Sequence, residues 1–100
     1  MKIPGKVKIG GRIYTVTTTE NIKLGTNYSA EIDYEKLEIR VRPMAQAKME
    51  HDFLHELTHG IFDFAGYKDH NEELIDRIAS ALHMIITDNL GLFGDSDAQT

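Results

Sequence analysis

The chain has 100 residues, 41% of them hydrophobic, and no cysteine. That is one domain, residues 1–100, with enough apolar side chains for a core of its own; it excludes disulfides and thiolate metal sites, so any metal must rest on histidine and carboxylate. A formal charge of −5 argues against a nucleic-acid partner, no apolar run reaches the length of a membrane span, and Met1-Lys2-Ile3-Pro4-Gly5 lacks a signal-peptide pattern, so the expected setting is cytoplasmic.

The first forty-two residues read as strands. Val7, Ile9, Ile13, Tyr14 and Val16 are β-formers split by Gly10-Gly11, a hairpin signal. Residues 20–27, with Gly25 and its asparagines, read as a loop. Tyr28 to Tyr34 alternates around Ala30 and Ile32. Leu37, Ile39 and Val41 alternate with Glu38, Arg40 and Arg42, the pattern of a half-exposed strand, and Glu35-Lys36 is the expected turn between the two. The expectation is a small antiparallel sheet with one apolar face.

From Met44 the period changes. Pro43 suits a first helical position, and Ala47, Leu54, Leu57, Ile61 and Phe64 form a helical stripe with Phe53 on its edge, ending at Gly66. A second helix is expected from about Asn71 to Asn89, capped by Asp69 or Asn71, with Leu74, Ile75, Ile78, Leu82, Ile85 and Ile86 on its apolar stripe. Residues 91–100 read as a loose tail, with Leu92 and Phe93 able to dock. The fold class is therefore α+β: a small antiparallel sheet followed by two packed helices.

The first of these helices carries His55-Glu56-Leu57-Thr58-His59, an H-E-x-x-H pattern. Residues four apart share a helical face, so both imidazoles point the same way and can hold one Zn²⁺. Glu56 is placed to act as general base on a water beside the metal. A chain of this composition matches the pattern by chance roughly 2 times in 100, so its weight rests on context. The context needed is the helix beneath it and a third ligand, because catalytic zinc sites commonly use three protein ligands.

Candidates after the motif are Asp63, Asp69, His70, Glu72, Glu73 and Asp76. Phe62 and Ala65 occupy the positions where a metzincin continues with Gly and His, which excludes that class. Glu72, Ile75, Asp76 and Ala79 share a helical face bearing apolar residues, which is expected to look towards the first helix. Glu73 shares a face with Asp76 and Arg77 and is expected to lean to solvent. Asp76 can take the free ring N–H of His55 and fix its tautomer. His51 would make a third histidine in one row, but three ligands in a row diverge too far for one tetrahedral ion. His83 sits about 16 Å along the helix from Glu72. His70 and Tyr67 lie in the connecting loop, where either could stabilise an oxyanion.

Asn71-Glu72-x-x-x-Asp76 resembles the N-E-x-x-x-D segment of the thermolysin-type gluzincins. The twelve residues between His59 and Glu72 make it more similar to the minimal gluzincins and to small phage and prophage proteins of the same layout. The resemblance spans about residues 32–89. It implies a zincin-like metallopeptidase with His55, His59 and Glu72 as zinc ligands, Glu56 as catalytic base, Asp76 orienting His55 and a peptide or protein as substrate. It also implies that a terminal segment can cover the cleft and keep the enzyme latent. The same ligand types also accept Mn²⁺, Fe²⁺, Co²⁺ or Ni²⁺. Two other classes stay open: a catalytically silent, zinc-stabilised binding or regulatory module of phage or prophage origin, and a phage structural protein whose histidines are incidental.

Overall fold

The computed structural model describes residues 1–92. The order is β1 (Lys6–Ile9), β2 (Arg12–Thr18), β3 (Ala30–Asp33), β4 (Glu38–Val41), α1 (Gln46–Phe64) and α2 (Glu72–Asp88). The α+β class and the sheet-then-helices order are as expected. The all-antiparallel sheet is not: the strand order is β1-β2-β4-β3, and β2 and β4 run parallel. β1–β2 and β3–β4 are antiparallel hairpins. The segment between β2 and β3 carries the chain past the place beside β2, so β3 becomes the edge and β4 returns into the gap. Alternation in the sequence reports which face a side chain takes; it carries no information about which strand lies alongside.

The half-exposed reading of β4 is also corrected. Ile39 and Val41 do face the helices and are fully buried, but Arg40 on the opposite face is buried as well. Its guanidinium donates to Glu31 at 2.6 Å, to Asp33 at 3.3 Å and to Glu38. Glu31, equally buried, accepts from the backbone N–H groups of Lys23 and Leu24 at 2.9 and 3.0 Å. Arg42 donates to the carbonyls of Glu20, Gly25 and Tyr28. The loop between β2 and β3 is thus pinned through its own backbone by Glu31, which pairs with Arg40 of β4, and by Arg42 just after that strand. The turn of the β3–β4 hairpin includes Leu37 at φ +54°, where an alternating strand had been expected.

α1 starts at Gln46, after Pro43 rather than at it, with no side-chain cap. It ends in a Schellman pattern: Gly66 takes φ +96°, its N–H bonds Asp63 O, and Tyr67 N–H reaches Phe62 O at 3.0 Å. Phe53, expected on the edge of the stripe, is in the core with Leu54, whereas Ala47, Ile61 and Phe64 stay exposed. Gly60 lets α1 lie close to the sheet, since a methyl there would fall 2.7 Å from Ile9 Cδ1 and 3.3 Å from Ile32 Cδ1. α2 is capped by Asn71, whose side chain accepts from Leu74 N–H at 2.9 Å. Ile75 and Ala79 are its buried residues, while Leu74 and Ile85 stay exposed. Among the described residues no helix is long and apolar enough to cross a membrane. Leu92 is exposed; the docking expected of Phe93 lies outside the described residues.

Removing Arg40 would leave the Glu31 carboxylate buried and unpaired. Arg40→Ala is expected to cost about 3–5 kcal/mol in urea unfolding. Burial opposes the charge on Glu31, but the N–H of Lys23, the Arg40 guanidinium and the N–H of Leu24 outweigh it and hold its pKa below the ordinary value. A depressed carboxylate contributes stability above its unfolded pKa and loses it as pH falls through the folded one. Wild type should therefore lose stability below about pH 4, and Glu31→Gln should flatten that acid limb.

Candidate metal centre

The helix beneath the H-E-x-x-H pattern is α1, and its two histidines come up on the face turned towards α2. α2 runs back along α1 because the loop from Ala65 to Asn71 is short. Its buried residues Ile75 and Ala79 set the register, and Glu72, on the first turn, then comes level with His55 and His59.

The geometry is convergent. His55 Nε2 stands 3.0 Å from Glu72 Oε1, and His59 Nε2 stands 3.1 Å from Glu72 Oε2. One donor atom from each of His55, His59 and Glu72 lies within 4.8 Å of the other two. Two imidazole nitrogens and a carboxylate oxygen at that spacing could hold one divalent metal ion. The side chains of His55 and His59 are 20% and 12% exposed and that of Glu72 is 70% exposed, so the cluster opens to solvent on the α2 side. Glu73 takes no part: it pairs with Arg77 at 2.7 Å on the surface.

The outer ring nitrogens are held too. His55 Nδ1–H donates to Asp76 Oδ1 at 3.1 Å, and Nε2 is the nitrogen turned to Glu72, where a metal would be held. His59 Nδ1 meets His70 Nδ1 at 2.7 Å, and His70 Nε2 meets the Tyr67 carbonyl at 2.8 Å. Burial lowers the pKa of His59 even though Glu72 pulls the other way, so the ring is kept neutral, the form that ligates. Burial likewise pushes Glu56 up to about 7, with His55 opposing and Glu72 and Asp52 adding to the rise.

Glu56 lines two grooves. One is bounded by Asn27, Ser29, Ala30, Lys48, His51 and Asp76, mostly polar residues; the other is bounded by Leu24, Ile32, Tyr34, His59, Tyr67 and His70, with Asp63 and Lys68, and is the more apolar of the two. The pattern residue between the two histidines therefore stands where the grooves join.

The remaining histidines lie elsewhere. His51 Nε2 meets Ser80 Oγ at 3.2 Å and Asp76 at 3.3 Å, and His83 bonds the buried Glu50 at 2.7 Å. Asp63 lines the apolar groove but is outside the cluster, as is Asp69. His70, which the sequence left as a loop residue that could stabilise an oxyanion, has both ring nitrogens engaged, by His59 and the Tyr67 carbonyl. Tyr34 was missed. It lies in the same groove as Glu56 and His59, and among the described residues its hydroxyl makes no hydrogen bond. Burial, reinforced by Asp63 and Glu56, raises its pKa, so it remains a donor at neutral pH. The signal available was its place two residues after Ile32, on the same strand face.

Comparison with protein-family models, with curated proteins and with solved structures finds no match to this chain.

Purified without chelators, wild type is expected to carry about one zinc per chain, by elemental analysis. Glu72→Ala should lose it and Glu73→Ala should keep it. Asp76→Ala should weaken it about 10–100-fold. Equal zinc in the Glu72 and Glu73 variants would remove Glu72 from the ligand set.

Proposed function

We propose that this chain is a zincin-like, gluzincin-type metallopeptidase, with His55, His59 and Glu72 holding Zn²⁺ and Glu56 as general base. The observation that carries this reading is the convergence of His55 Nε2, His59 Nε2 and the Glu72 carboxylate beside Glu56. A ligand set alone would serve a structural ion equally well. What favours catalysis is a half-buried carboxylate next to the first ligand, at the junction of two grooves.

When bound, the metal supplies Lewis acidity towards a scissile carbonyl and lowers the pKa of water. Glu56 takes the proton of the attacking water and hands it to the leaving amine. Its pKa near 7 in the protein alone makes it a stronger base than an ordinary carboxylate; a neighbouring dication pulls that value down. Asp76 keeps His55 Nε2 free for ligation. Tyr34 is the residue placed to donate to a developing oxyanion from the apolar groove.

The substrate would bind as an extended peptide on β3. Val41 O accepts from Thr19 N–H and Leu37 O from Thr15 N–H, so the odd-numbered residues of β4 face β2. Arg42 N–H donates to Ser29 O, so the even-numbered ones face β3. With Ala30 opposite Val41 and Ile32 opposite Ile39, the backbone N–H and C=O of Ala30 and Ile32 then point outward from the sheet. Ala30 borders the polar groove and Ile32 the apolar one. A peptide added to this edge would pass Glu56 with side chains in both.

Glu56→Gln separates an enzyme from a silent zinc module. It should keep stoichiometric zinc and lose hydrolysis of dye-quenched casein by about 10²–10⁴-fold or more. Equal hydrolysis in wild type and variant, or none in either with zinc present, would set the peptidase reading aside.

A further inference from the structure

Among the described residues, His59 has no carboxylate behind it. The group behind it is His70, in the loop joining α1 to α2. Their ring centres are 5.0 Å apart, their planes differ by 20°, and their Nδ1 atoms are 2.7 Å apart. The rings therefore meet edge to edge and nearly coplanar, the arrangement in which an N–H of one points at the lone pair of the other. Phe62 lies against His70, with ring centres 5.6 Å apart.

The protons can be placed by elimination. The Tyr67 carbonyl only accepts, so His70 Nε2, 2.8 Å from it, carries hydrogen. A neutral imidazole has one N–H, so His70 Nδ1 is bare and accepts. The contact at 2.7 Å then needs its hydrogen from His59 Nδ1. With a metal held between His59 Nε2 and the Glu72 carboxylate, 3.3 Å apart here, Nε2 is the bare nitrogen; without a metal that carboxylate, an acceptor only, calls for a hydrogen there. The other assignment puts a second proton on His70 and a hydrogen on His59 Nε2, and that nitrogen can no longer ligate.

Resting on the metal reading above, we propose that His70 is a positioning residue. It passes the polarity of the Tyr67 carbonyl through its own ring to His59, fixing the tautomer and the in-plane orientation that ligation requires. It acts on the metal through His59 rather than as a ligand, and it also borders the apolar groove. The two ligand histidines are thus oriented by different chemistry: a carboxylate behind His55, and a backbone carbonyl relayed by a neutral ring behind His59. Gly66, at φ +96°, makes the turn immediately before Tyr67.

The test is zinc affinity by chelator competition, at fixed pH, in wild type, His70→Phe and His70→Asn. Phe keeps a flat ring against Phe62 but offers no acceptor; Asn places an amide oxygen where Nδ1 was. His70→Phe should weaken zinc about 10–100-fold, and His70→Asn should recover most of that loss. Long-range ¹H–¹⁵N spectra of zinc-loaded wild type should show His59 protonated at Nδ1. Unchanged affinity in His70→Phe, equal losses in Phe and Asn, or His59 protonated at Nε2 would overturn the role of His70 while leaving the metal centre standing. No stoichiometric zinc in wild type would overturn the centre itself, and this role with it.

Discussion

Ile75 and Ala79, both withdrawn completely from solvent, hold α2 against α1, and Ala79 joins the core around Leu54 and Phe53. Burying an isoleucine contributes about 1.5–3 kcal/mol, but here it does something a sum of areas does not express: it sets register. The candidate ligand nitrogens belong to α1 and the candidate carboxylate to α2. A slip by one helical turn, about 5.4 Å, would carry Glu72 out of reach of both histidines. Polar contacts along the same seam agree with that register, from Ser80 on His51 to His83 on Glu50. The Asn71 cap fixes where α2 begins, and so where its first turn presents Glu72.

The sheet contributes at second hand. α1 can lie close to it because Gly60 follows His59 directly, leaving Ile9 and Ile32 to occupy the space a side chain would need. An interior glycine costs a helix about 1 kcal/mol relative to alanine. That cost is taken at the position that brings the second histidine down beside β3. On the other face of the sheet, Arg40, Glu31 and the backbone of the loop from Glu20 to Tyr28 form a buried polar layer. Buried ion pairs of this kind often add little net stability, yet breaking one is costly. Its effect here is to hold Leu24, and with it the wall of the apolar groove, to the edge strand.

How much of this could be read in the sequence follows from which signals are local. Helix extents, the Gly66 stop, the turning of Glu73 to solvent and the shared face of Glu72 and Asp76 are consequences of period and spacing within one element. Each was available from residue order alone. The parallel pairing of β2 with β4 was not, because neighbour choice depends on where a long loop lands. Arg40 was misjudged for a related reason: a charged residue alternating with Ile39 and Val41 reads as solvated unless its partners are known. Its nearest partner, Glu31, lies on another strand. Tyr34 escaped notice, and His70 was read only as a candidate ligand, oxyanion donor or plain loop residue, because their contacts run across a groove and across a turn. Ile61 and Phe64 matched the apolar period of α1 but lie at its far end, where exposure is the outcome.

Charge gives the different partners of the two histidines a physical sense on the reading proposed above. A dication held by Glu72, with Asp76 behind His55, is already balanced by two carboxylates, and Glu56 adds a third negative charge whenever it is ionised. A carboxylate behind His59 as well would leave the centre strongly anionic. That would raise ligand basicity and blunt the electrophilicity on which carbonyl polarisation depends. A neutral ring ending on a peptide carbonyl orients His59 at no charge. It also suits the surroundings, since His59 is the more enclosed of the two ligands and its pKa is already lowered by burial. On that enclosed side an added carboxylate would have to be desolvated, whereas Asp76, half exposed, keeps much of its hydration. The short loop between the helices thus meets two demands with one residue: it brings Glu72 back to α1, and it supplies an orienting group where a charge would be costly.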